Sequence, residues 1–148
     1  MNLDRYELQS GEELEVFEFV SEGSKGRIPK IVQYFPTNYK DLYHLGFGDK
    51  NQVTGEIDDT IVSNNDDSEK VLATVIATLY AFTDKHPNAQ VYATGSTDSR
   101  TRLYRMGVSK YLNEALVDFE IFGELKDSWE PFEKDSEYKG FLVKRKQA

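Results

Sequence analysis

The stretch from Asp66 to Pro87 constrains the fold most. Val71, Leu72, Val75, Ile76, Leu79 and Tyr80 recur at the three- and four-residue spacing of a helix and give it one apolar face. Asp66, with Glu69 three residues later, has the form of a capping box in which Asp replaces the usual Ser or Thr. Pro87 ends the helix near Lys85 or His86, because the residue before a proline is pushed out of the helical region. A helix with one apolar face needs an apolar surface to cover, and the segments on either side of it read as strands.

Upstream, Glu15 to Val20 has the aromatic and β-branched composition of a strand. Gly23 to Gly26 is a turn, and Arg27 to Phe35 is the returning strand, with Pro29 near its start or on an edge. Pro36-Thr37-Asn38 is the next turn, Leu42 to Phe47 a third strand and Glu56 to Ser63 a fourth. Short links between them predict an antiparallel meander. Downstream come a strand at Gln90 to Thr94 and a second helix from Asp98 to Leu116, broken at Gly107, with Leu103, Met106 and Tyr111 on its buried face. Strands at Phe119 to Leu125 and Phe141 to Lys146 follow, joined by a polar link that carries Trp129 and Phe132. The order ββββ-α-β-α-ββ predicts one α+β domain over residues 1–148, built on a single mixed sheet of about seven strands with two main helices.

Composition narrows the function classes. With 39% hydrophobic and 30% charged residues the chain has the balance of a globular domain rather than a disordered one. It has no cysteine, which removes disulfides, thiolate metal sites and cysteine nucleophiles together. The N-terminus shows no basic patch followed by an apolar run, and no apolar stretch approaches the roughly 20 residues a membrane helix needs. The expected location is cytoplasmic. A net charge of −8 and a pI near 4.8 argue against general nucleic-acid binding.

Against that acidity, Arg100, Arg102 and Arg105 are a local exception. They follow Tyr92-Ala93-Thr94-Gly95-Ser96-Thr97, which reads as a strand running through a small-residue turn into a helix. Free N–H groups at the helix start, the Ser96 and Thr97 hydroxyls and planar guanidinium donors suit a phosphate or carboxylate. Arg102 and Arg105 share a helix face and form the expected clamp. The competing reading pairs these arginines with acidic side chains, which are plentiful here. His44 in a strand is a weak general-base candidate, and His86 beside Pro87 suits a helix C-terminus. Asp58, Asp59, Asp66 and Asp67 are the densest carboxylate group, but adjacent strand residues point to opposite faces and do not converge on a metal. Gly46-Phe47-Gly48-Asp49 reads as a ligand-facing loop or a turn, and Lys25-Gly26-Arg27 as a turn able to meet an anion.

Gly46-Phe47-Gly48-Asp49, Ser63-Asn64-Asn65-Asp66, Val71 to Val75, Ala93 to Thr97 and Arg100 to Arg105 together resemble a family of small bacterial proteins of unknown function. That resemblance spans nearly the whole chain and implies no activity. The element order is also similar to the core of the GNAT N-acetyltransferases, with Arg102-Leu103-Tyr104-Arg105-Met106-Gly107-Val108 resembling the Leu-Tyr…Gly-Phe segment of their last helix. This likeness implies coenzyme A as cosubstrate and Tyr104 as the acid that protonates its thiolate. The place of that family's Gly-rich pyrophosphate loop is held here by Ser63-Asn64-Asn65-Asp66-Asp67-Ser68, without glycine. Three expectations follow. The first is a non-catalytic or regulatory protein that binds an anionic small molecule at Gly95, Ser96, Thr97, Arg100, Arg102 and Arg105. The others are an acyltransferase using an acyl-coenzyme A and an acidic module for a basic protein partner. The residues themselves name no cofactor.

Overall fold

A computed structural model describes residues 4–58, 65–94, 98–133 and 136–146. Among these residues, nine strands and two main helices follow the chain as β1 (Gln9–Ser10), β2 (Val16–Gly23), β3 (Gly26–Pro36), β4 (Leu42–Lys50), β5 (Ile57–Asp58), α1 (Ser68–Lys85), β6 (Gln90–Ala93), α2 (Asp98–Asp118), β7 (Phe119–Glu124), β8 (Trp129–Pro131) and β9 (Phe141–Arg145). The strands form a mixed sheet in the order β1-β2-β3-β4-β6-β9-β7-β8, with β5 added to β4. The expected α+β class and element order are present. Two short strands, β1 and β8, extend the sheet beyond the expected seven. The pair β4 and β6 runs parallel, from Leu42↔Gln90 to Leu45↔Ala93, while β6–β9 and β9–β7 are antiparallel. Met1–Tyr34 with Gly46–Lys85 forms one compact unit, and Phe35–Leu45 with His86–Ala148 a second.

In the first unit an aromatic ladder builds the core. Tyr6 stacks on Phe19 at 5.6 Å, Phe19 on Phe47 at 6.3 Å, and Tyr34 on Phe82 at 4.1 Å with the rings nearly parallel. The face α1 buries differs from the expected stripe. Val71, Leu72 and Val75 are buried, but so are Thr74, Thr78, Phe82 and Thr83, while Ile76, Leu79 and Tyr80 are half-buried. The buried threonines are tolerated because each hydroxyl donates to a carbonyl three or four residues back: Thr74 to Lys70, Thr78 to Val75 and Thr83 to Leu79, at 2.6–2.8 Å. Thr74 Oγ1 also accepts from the Tyr6 N–H at 2.9 Å, and Thr78 Oγ1 lies 2.8 Å from the Tyr34 hydroxyl.

The start of α1 is closed differently from a capping box. The Val71 N–H donates to the Asp67 carbonyl at 3.0 Å, so Asp67, not Asp66, is the N-cap. Asp66 stands at a φ of 60° and accepts from the Ser24 hydroxyl. Asn65 ties this corner to the β2–β3 hairpin: its side-chain NH2 donates to Ser21 Oγ and the Gly26 carbonyl, and its amide oxygen accepts from the Lys25 N–H. Gly23 is required there, because a Cβ would stand 1.8 Å from the Asn65 carbonyl oxygen. Gly46-Phe47-Gly48-Asp49 is not a loop; it lies inside β4, and Lys30 and Asp49 form a buried ion pair between β3 and β4.

In the second unit Val91, Ala93, Phe119, Ile121, Phe141 and Val143 alternate inward along β6, β7 and β9. Phe132 and Tyr138, from the link between β8 and β9, pack against Phe141 at 5.8 and 6.0 Å. Helix α2 is interrupted at Tyr111 (φ −105°, ψ 15°) rather than at Gly107, which is buried. Met106, expected on the buried face, is exposed; Tyr111 is half-buried and the Leu103 side chain lies outside the described ones.

Candidate functional site

Gly95, Ser96 and Thr97 lie outside the described residues. Arg100, Arg102 and Tyr104 are described only as helical backbone in α2, so the arginine clamp and the Tyr104 acid are expectations carried forward. Arg105 is described, and its Nη1 lies 3.6 Å from Glu137 Oε1, with the glutamate side chain 92% exposed. A pair with so exposed a partner contributes about 0–1 kcal/mol. His44 packs beside the Tyr92 ring at 6.0 Å and His86 beside Tyr43 at 5.9 Å. Asp58 pairs across the sheet with Asp49, Asp59 lies outside the described residues, and Asp66 and Asp67 serve the hairpin and the helix start. Among the described residues no three His, Asp or Glu side chains gather as a metal site.

The geometry instead brings together cations that no local sequence pattern connects. Among the described residues the N-terminal segment pairs with β2 at Gln9↔Glu18 and Ser10↔Phe17. Farther upstream Tyr6 closes against the same strand through its hydroxyl, which donates to Asp67 Oδ2 at 2.6 Å and accepts from the Glu22 N–H at 3.0 Å. Between them lies a cleft of about 520 Å³, lined by Arg5, Arg27, Lys50 and Lys70, by Glu7, Glu18 and Glu22, and by Tyr6 and Phe19. Four cations against three carboxylates leave one net positive charge, in a chain whose net charge is −8.

Two of the cations are paired: Lys50 with Glu18, and Arg27 with Glu22 at 3.6 Å on the surface. Arg5 Nη1 donates to the Tyr6 carbonyl at 3.0 Å, and Lys70 Nζ lies 4.5 Å from the centre of the Tyr6 ring. Among the described residues neither Arg5 nor Lys70 has a carboxylate partner. Lys70 is the third residue of α1, where the helix dipole disfavours a cation and favours an anion. Burial and the Asp67 hydrogen bond hold the Tyr6 hydroxyl above its usual pKa.

Tyrosines also predict an alkaline limit. Burial first, and then its hydrogen bond to Glu124, pushes Tyr92 up to about 12, and Tyr138 is raised by burial and Glu130. A folded-state pKa above the unfolded value of about 10 favours the native state while the phenol is protonated. That contribution is complete below about pH 10 and is lost as pH rises toward 12. Urea midpoints should fall steeply over that window and less steeply in Tyr92→Phe; parallel profiles would disprove the linkage.

The architecture is that of an α+β protein with a charged cleft at the edge of its sheet. The chain belongs to DUF6934, a family of unknown function, which it matches over residues 2–146. This agrees with the resemblance carried by its motifs. No curated protein and no solved structure matches it, and no helix among the described residues is long and apolar enough to cross a membrane.

Proposed function

We propose that the protein is a non-catalytic or regulatory binding protein for a small anionic molecule, seated in the cleft of the first unit. The observation that carries this reading is the convergence of Arg5 and Lys70, both without carboxylate partners among the described residues, on a concave site at the start of α1. A carboxylate or phosphate there gains two charge-assisted partners and the favourable end of the helix dipole.

Thermal unfolding against inorganic phosphate, phosphorylated metabolites, nucleotides and acyl-coenzyme A tests the reading. A ligand at 100 times its dissociation constant stabilises by about 2.7 kcal/mol, which is visible as a shift in Tm. The shift should vanish in Arg5→Ala/Lys70→Ala. If it vanishes instead in Arg102→Ala/Arg105→Ala, the anion sits at the start of α2, as the sequence suggests. No shift with any probe overturns the anion reading and leaves the acidic surface, and a basic protein partner, as its role.

A second reading is acyl transfer from an acyl-coenzyme A, with Tyr104 as general acid. Its support is the element order, a meander, helix, strand, helix and closing strands, with β4 and β6 parallel between them. A Tm shift with coenzyme A thioesters alone, with turnover that Tyr104→Phe abolishes while the shift remains, separates it from the first.

A further inference from the structure

On the second unit a group of side chains unrelated to the anion cleft stands together on the half-exposed face of the sheet. Tyr92 on β6 faces away from the buried Val91 and Ala93. Its ring meets Trp129 edge to face at 5.9 Å between centres and 77° between planes, so the two rings stand at a corner. Its hydroxyl donates to Glu124 Oε1 at 2.5 Å, and Glu124 is the cross-strand partner of Trp129. His44 flanks the opposite side of Tyr92. Trp129 is 44% exposed, so its indole is reachable from solvent.

The chemistry of this corner selects a cation. Ring faces attract positive charge within about 6 Å of their centres, most strongly when a weakly hydrated organic cation replaces a hydrated ammonium. Glu124 supplies a formal charge at the edge of the corner, and its carboxylate has the Tyr92 hydroxyl rather than a lysine or arginine as its partner among the described residues. Where lysines and arginines do sit over rings among the described residues, they do so at Tyr6, Tyr111 and Phe119, not here. A net charge of −8 raises the local concentration of any cation around the molecule. We infer that Tyr92, Trp129 and Glu124 form a binding site for a small organic cation of the quaternary-ammonium type. This site is independent of the anion cleft, and either can fail without the other.

Trp129 is the only tryptophan of the chain, so its fluorescence reports this site directly. Choline and tetramethylammonium, titrated at constant ionic strength, should change its emission along a saturating curve. The neutral isostere 3,3-dimethylbutan-1-ol, of the same shape without the charge, should bind at least tenfold more weakly. Glu124→Gln keeps an acceptor for the Tyr92 hydroxyl but removes the charge, and Tyr92→Leu removes the ring; each should weaken binding tenfold or more, with unchanged far-ultraviolet circular dichroism confirming the fold. If Tyr92→Leu fails to fold, Glu124→Gln and the neutral isostere carry the test. A non-saturating response, equal binding of the neutral isostere, or unchanged affinity in Glu124→Gln overturns the inference.

Discussion

Asp49→Ala should lower the stability of the folded chain by about 3–5 kcal/mol, the range for stripping one partner from a buried ion pair. Lys30 is 5% exposed and Asp49 8%, so both charges have left bulk water. The loss arises mainly from the ammonium left behind. Lys30 lies in β3, where Phe19 is its direct neighbour on β2, and a buried ammonium stripped of its carboxylate is solvated poorly. Replacing both partners by apolar residues of similar volume, Lys30→Met with Asp49→Leu, should therefore cost much less than either single change. Chemical denaturation of the two singles and the double gives the coupling directly. A loss under 1 kcal/mol in Asp49→Ala would show that the ammonium finds water or another acceptor.

Phe82→Ala should cost a similar amount, about 3–5 kcal/mol. Phe82 is fully buried and lies flat on Tyr34 at 4.1 Å, while the Tyr34 hydroxyl is held beside Thr78 of the same helix. Removing the ring opens a cavity under α1 that its neighbours cannot fill, because Tyr34 is anchored at its far end. Phe82→Leu keeps most of the volume and should lose about 1–2 kcal/mol, the ring-stacking and shape part alone. Equal losses in the two variants would mean that the site collapses around either side chain.

The sequence announces α1 and the strands of the meander because their signals are local: helical spacing, turn residues and aromatic runs. It misplaces the buried face of α1 because Thr74, Thr78 and Thr83 read as polar, while in the fold their hydroxyls are satisfied by their own helix. Gly46 to Asp49 reads as a turn because glycines dominate it, yet those residues continue β4. The parallel partnership of β4 with β6 leaves no local trace, since the two are separated by a whole helix. The cleft escapes for the same reason. Its cations come from positions 5, 27, 50 and 70, which only the fold brings together, and Arg27 alone belongs to a segment whose reading included an anion. The aromatic corner is likewise assembled from separate strands, although Trp129 stands out in its polar link.

Helix α2 has a consequence for how such chains diversify. Among its described residues only Gly107 is buried, while Met106, Leu116 and Val117 are exposed. Substitutions along its outer surface therefore disturb few packed contacts, and surface changes of that kind usually alter stability by less than about 0.5 kcal/mol. The core strands and α1 carry the burden of folding, so Met106, Leu116 and Val117 are positions that selection can exchange while the scaffold stays intact.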